Sequence, residues 1–330
     1  AYIRELPTPT GLTLLGEFPV VNVPTNVVNF SEITQTNRAA RYRAFDGRVH
    51  VADRDGYSDK VIKMAPFSDS LNMGEYERLQ LEYQRTGGTR SAALEQAIYN
   101  DATTLTRYMV NRMNLALGDV LADGTFTTAL ASEFGGVTDF GVPAGNLITA
   151  GTAWATYATA DGITDLISAC DVYEAANGGR PGTAYISRSL LRAFQVQTKV
   201  INAVKGAQTG VTRIALQDAF SIFDSEGIPT RWVVVEDTVD VDGATTRVFP
   251  TGKIALGPAD PAELMEFRVG LSATALEMVN SNEAEMTFEE APGIVGVIEK
   301  VGPPYRQFTF VDAVGMPILK DAKKLVVVSA

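Results

Sequence analysis

Apolar residues recur at helical spacing through one long stretch of this chain. Leu94, Ile98, Ala102, Leu105, Met109, Met113, Ala116 and Val120 follow one another at steps of four or three, which keeps them on one face of a helix. Gly87 and Gly88 break the chain upstream, Thr89 or Ser91 can cap the first free amides, and Gly124 ends the pattern. The spacing predicts one helix over residues 89–121. At about 1.5 Å per residue it is a rod of about 45–50 Å, well beyond the ordinary helix of about 11–12 residues. A strict heptad through Ile98 and Leu105 would put Arg112 in the seam, and one through Leu94 would put Asp101 there. The drift of a period of about 3.6 therefore points to packing along a sheet or domain, not against a twin helix.

Before the rod the pattern is extended. Residues 1–36 carry Pro7, Pro9, Pro19 and Pro24 among short β-branched runs, which reads as an arm that buries little of itself and lies along something else. Two extended runs, 42–51 and 57–64, flank Asp53, Arg54, Asp55 and Gly56, and Asp-Gly is a strong hairpin signal. The charges of this hairpin leave neither face apolar enough for a private core. It is either a solvated surface hairpin on a larger sheet or an arm that becomes ordered on a neighbouring subunit. Pro66 reads as the hairpin's end, and 73–84 as a short helix.

After the rod, residues 125–153 are rich in Gly, Thr, Phe and Ala and read as loop, short strand and domain boundary. From Trp154 the periods alternate. Helices at 163–173, from Ser187 to Ile201, and at 212–223 are interleaved with strands at 183–186, 231–236 and 245–256. This predicts a mixed α/β layer. Beyond Pro258 the expected elements are strands at 264–271, 275–280, 294–301, 307–314 and 324–328. They need earlier partners, so the chain is expected to leave its first domain and return to it.

Composition narrows the function classes. A net charge of −11 without a long basic run argues against a surface built to grip phosphates. One cysteine, Cys170, and one histidine, His50, supply neither an internal disulfide nor a usual zinc site. The longest apolar runs are a handful of residues, so no membrane span is expected, and Arg4, Glu5, Pro7 and Pro9 argue against a signal peptide at 1–15. His50 has no nucleophile signature near it. Cys170 lies on the apolar stripe of its helix and reads as a buried thiol. Glu283, Glu285, Glu289 and Glu290 alternate with Ala284, Met286 and Phe288, which favours a strand with one charged face over a metal site. The glycines near Gly118 and Gly178 lack phosphate-loop spacing. No catalytic, cofactor or metal residues are assigned.

The closing segments 249–258 (FPTGKIALGP), 265–270 (MEFRVG) and 308–330 (FTFVDAVGMPILKDAKKLVVVSA), together with the order of elements, resemble tailed-bacteriophage major capsid proteins of the lambda type. The resemblance implies an α+β capsid fold: an N-terminal arm at 1–36, an extended β-hairpin loop at 37–64, and a peripheral domain at 65–153 with its spine helix at 89–121. An axial α/β domain would follow at 154–257, then a return to the peripheral domain at 258–319 and a last axial strand at 320–330. The expected function is a self-assembling icosahedral shell of hexamers and pentamers around double-stranded DNA, bound without sequence specificity. The partners implied are further copies of itself, a separate scaffolding protein, a portal and a decoration protein, and the location is the virion after synthesis in the host cytoplasm. Because no long charged helical segment stands before the arm in this sequence, a fused scaffolding domain is expected to be either absent or already removed, and no covalent cross-link is expected. The inter-subunit contacts would come from Arg41, Arg43, Arg48, Arg54, Asp55, Lys60 and Lys63. The alternatives are an encapsulin-like compartment shell and a soluble α/β enzyme.

Overall fold

The structure is a computed structural model that describes residues 2–3, 12–33, 57–76, 92–128, 136–206, 210–280, 293–303 and 306–330. Strand β1 (Tyr2–Ile3), a short helix (Thr13–Glu17), β2 (Val20–Asn22) and β3 (Val27–Ile33) precede β4 (Tyr57–Lys63) and β5 (Ala65–Met73). A 32-residue helix, Ala92–Asp123, comes next. Strands β6 (Thr125–Thr127), β7 (Val137–Asp139) and β8 (Leu147–Thr149) follow it. Helices Gly162–Asn177, Arg188–Val196, Thr198–Lys205 and Leu216–Glu226 then mix with β9 (Thr183–Ile186), β10 (Arg231–Val234), β11 (Thr238–Val241), β12 (Ala244–Arg247) and β13 (Lys253–Gly257). The last elements are helix Pro261–Leu264, β14 (Met265–Val269), helix Ala273–Asn280, β15 (Val295–Val301), β16 (Arg306–Leu319) and β17 (Val326–Ser329).

The long helix buries the stripe that its sequence announces. Ala102, Leu105, Met109, Met113, Ala116 and Val120 are all buried, against β16 and β5 along the first half and a larger core along the second. Leu117, Leu121 and Ala122 are buried as well, so the helix is enclosed on more sides toward its C-terminal end. Gly124 stops it in the left-handed conformation (φ +76°), with its N–H on the Val120 carbonyl at 2.7 Å, as a helix C-terminus requires.

Two sheets carry the rest. In the first, β1-β15-β16-β14-β2 are neighbours and β5 also pairs with β16. β16 is the shared strand, antiparallel to β15, to β14 and to β5, so the late strands do pair with early elements. In the second sheet the order is β10-β9-β13-β17-β8. Its strands are nearly unbroken apolar runs because both faces are covered. Tyr185, Ala255 and Val327 face the core they share with the long helix and the first sheet. Their neighbours Ala184, Ile186, Ile254, Leu256, Val326 and Val328 face a second core under the four helices.

Several expectations change. Residues 57–63 pair with 27–33, antiparallel from Val27 opposite Lys63 to Ile33 opposite Tyr57, a partner the sequence pattern did not offer; 42–51, expected across the turn, lie outside the described residues. Pro66 does not end an element but sits in β5, opposite Val314. Met73 closes β5, and of the helix expected over 73–84 Glu75 and Tyr76 are helical while 77–84 lie outside the described residues. The strand expected at 275–280 is the helix Ala273–Asn280: Ser272 Oγ accepts from the Ala275 N–H at 3.1 Å, and that cap beside Ala, Leu, Glu and Met outweighs the β reading. One strand at 245–256 becomes β12 and β13, because Pro250 has no amide to give a ladder. The helix expected to run from Ser187 to Ile201 is two, meeting at the buried Gln197, whose side-chain oxygen accepts from the Gly162 N–H at 2.8 Å.

Candidate assembly surface

Strands β3 and β4 form a sheet of their own, joined to no other strand among the described residues. Seven residue pairs hold this ribbon together. A two-stranded ribbon is marginal in water without a surface to cover it. Of the residues singled out from the sequence, Lys60 lies in β4 opposite Phe30, and Lys63 is exposed at the base opposite Val27. Arg41, Arg43, Arg48, Arg54 and Asp55 lie outside the described residues, as do His50 and the acidic stretch 282–290.

The ribbon is rooted in the first sheet. Val23 N–H donates to the Val269 carbonyl at 2.8 Å, and Met64 N–H to the Asn26 carbonyl at 3.1 Å. Met64 itself is buried in the main core. The two crossings from sheet to ribbon, 23–26 and Met64, therefore lie side by side.

A second feature was not legible in the sequence. The segment expected to lie as an extended arm folds at 13–17 into a helix whose Leu14 is fully buried, with Phe18 buried just beyond. Asp237 holds its first residue: the Thr13 N–H donates to Oδ2 at 2.7 Å and the Thr13 hydroxyl to Oδ1 at 3.1 Å. Asn114, buried in the middle of the long helix, donates from Nδ2 to the same Oδ2 at 3.0 Å and accepts from the Leu15 N–H at 3.2 Å. Glu17 pairs with Arg231 at 2.6 Å, and the Phe18 ring meets Tyr185 at 5.6 Å. This clamp joins three segments separated by 123 and 224 residues. A polar Asn on a buried helix face was the one local hint, and nothing local points to its partner.

The remaining chemistry is structural. Cys170 is fully buried, and burial pushes its thiol up to about 11 against the opposing effect of Arg180. Glu266, on β14, receives Arg268 Nε and Lys320 Nζ at 2.6 Å each. Burial would raise its carboxyl, but those two hydrogen bonds and charges hold it below the ordinary carboxylate range. Among the described residues no group of three His, Cys, Asp or Glu side chains could hold a metal ion, and no helix is long and apolar enough to cross a membrane.

This arrangement of two sheets, a long helix and a ribbon is the fold of phage capsid proteins. A prophage protein of Escherichia coli CFT073, assigned as a capsid protein, superposes with a TM-score of 0.61 at 13% identity, covering 98% of this chain and 93% of that one. A phage-related protein from Bordetella bronchiseptica RB50 gives 0.55 at 14% identity, covering 96% and 91%. The capsid of Myoviridae phage XM1 gives 0.51 at 12% identity, covering 99% and 95%. No curated protein sequence matches the chain. The family described as phage major capsid protein E matches residues 1–285, and the chain belongs to that family. It is a shell-forming structural protein of the virion and not an enzyme. Of the closing segments singled out above, 308–330 lies beyond the matched residues.

Proposed function

We propose that this protein builds an icosahedral shell of hexamers and pentamers around packaged double-stranded DNA, and that the β3–β4 ribbon lies over the next subunit. In this reading 65–153 and 258–319 form a peripheral domain with the long helix as its spine, and 154–257 with 320–330 form the axial domain. The ribbon draws one strand from the arm, 1–36, and the other from the loop, 37–64. That β3 and β4 pair with no third strand among the described residues supports the reading, since a neighbour's surface would supply the cover that a two-stranded ribbon needs. Arg41, Arg43, Arg48, Arg54, Asp55, Lys60 and Lys63 would carry the ion pairs to that neighbour, where a network contributes more than the 0–1 kcal/mol typical of one exposed pair (about 0.5). A separate scaffolding protein, a portal and a decoration protein complete the expected partners, and the subunit is made in the host cytoplasm.

The test is charge reversal. Arg48→Glu and Lys60→Glu are expected to leave circular dichroism and the unfolding midpoint of the unassembled subunit unchanged while electron microscopy shows particles lost or malformed. Normal particles from both variants would refute the ribbon's role.

A further inference from the structure

We propose that Gly270 is the positioning residue that sets the direction in which the β3–β4 ribbon leaves the body; this rests on the reading of the ribbon as an inter-subunit element. Gly270 follows β14 directly, and its N–H donates to the Val314 carbonyl of β16 at 2.7 Å. Its φ is not in the left-handed region, so the backbone does not call for glycine there. Space does. A Cβ at this position would stand 2.4 Å from the Thr25 carbonyl oxygen and 2.7 Å from the Met64 sulfur.

Those two contacts are the two crossings from sheet to ribbon. Thr25 lies between β2, which is bonded to β14, and β3. Met64 lies between β4 and β5. The Met64 side chain is flexible enough to give way, but the Thr25 oxygen is backbone, so displacing it moves the chain. The ribbon runs through seven residue pairs, a length of about 23 Å at about 3.3 Å per residue. With strands about 4.8 Å apart, a shift of about 1 Å at one base turns such a ribbon by about 12° and carries its far end about 5 Å. A displacement of that size takes a side chain out of reach of an ion-pair partner on another copy, since such pairs close within about 4 Å. Gly270 thus acts on assembly through geometry without touching the neighbour.

Gly315 provides the control. It lies in the same sheet, and a Cβ there would meet the Arg268 carbonyl oxygen at 2.7 Å and the Phe267 ring at 2.8 Å, with no ribbon atom among those contacts. Gly270→Ala and Gly315→Ala are therefore compared in the full chain by unfolding midpoint, amide hydrogen exchange and particle diameter. Both are expected to lower the midpoint. Only Gly270→Ala is expected to speed exchange at the Met64 amide by tenfold or more and to abolish particles or change their diameter. Particles of normal diameter from Gly270→Ala overturn the proposal, and so does equal disturbance of assembly by both variants. If Gly270→Ala is insoluble, Met64→Ala loosens the same contact from the other side: a broadened diameter distribution supports the proposal, and uniform normal particles overturn it. Loss of assembly in Arg48→Glu and Lys60→Glu with normal Gly270→Ala particles sinks the pivot and keeps the ribbon's role; normal particles from all of these variants sink both.

Discussion

Glu266 illustrates how a single residue in this protein depends on groups that its local sequence only half reveals. Arg268 is two positions along the same strand, but Lys320 reaches it from the end of β16, with which β14 pairs. Because the folded carboxyl titrates below its ordinary value, and the unfolded one titrates near 4.3, its stabilisation is complete above about pH 4.3 and is lost as pH falls through the folded value. Glu266→Gln is expected to cost about 1–3 kcal/mol at pH 7, and to flatten the fall in stability as pH drops below about 4.3, as read by urea unfolding across pH. A variant with the wild-type acid dependence would remove Glu266 from that account.

At the scale of elements, the long helix shows where pattern suffices and where it stops. The apolar stripe from Ala102 to Val120 places the helix on the core, and the buried positions follow it. Gly118 breaks the rule of good helix formers for a reason only packing supplies: a Cβ there would stand 1.9 Å from the Val248 carbonyl oxygen. Alanine would gain about 0.5–1 kcal/mol of helix propensity but lose about 1–3 kcal/mol to crowding against backbone. Gly118→Ala is expected to destabilise by about 1–2 kcal/mol net, measured as a lowered denaturant midpoint. The ribbon makes the complementary point. The described strand 57–63 has 27–33 as a partner, which no local turn signal announces, because pairing depends on which strands the fold brings to one place.

For the molecule as a whole, the same chain is both a folded subunit and part of a larger object. The segment from Thr13 to Asn22 is bound to its own body through Asp237, Asn114, Arg231 and β14, so the notion of an arm seated wholly elsewhere holds for none of those residues. Copies that bind one another are stabilised by mass action, since binding favours the folded state alone. The unfolding midpoint of assembled particles is accordingly expected to exceed that of the dispersed subunit, and to rise with protein concentration in calorimetry. A midpoint independent of both would speak against stabilisation by shell contacts.

The sequence by itself determined the long helix, the alternation of helices and strands after Trp154, the return of the late strands and the resemblance to phage capsid proteins, because period and apolar run length are local consequences of which faces are buried. Tertiary structure alone decided that Asp237 caps a helix 224 residues away, that Asn114 belongs to the same clamp, and that Gly270 and Gly118 are glycine for want of space. Those facts are distances between segments remote in the chain, and no local pattern records a distance of that kind.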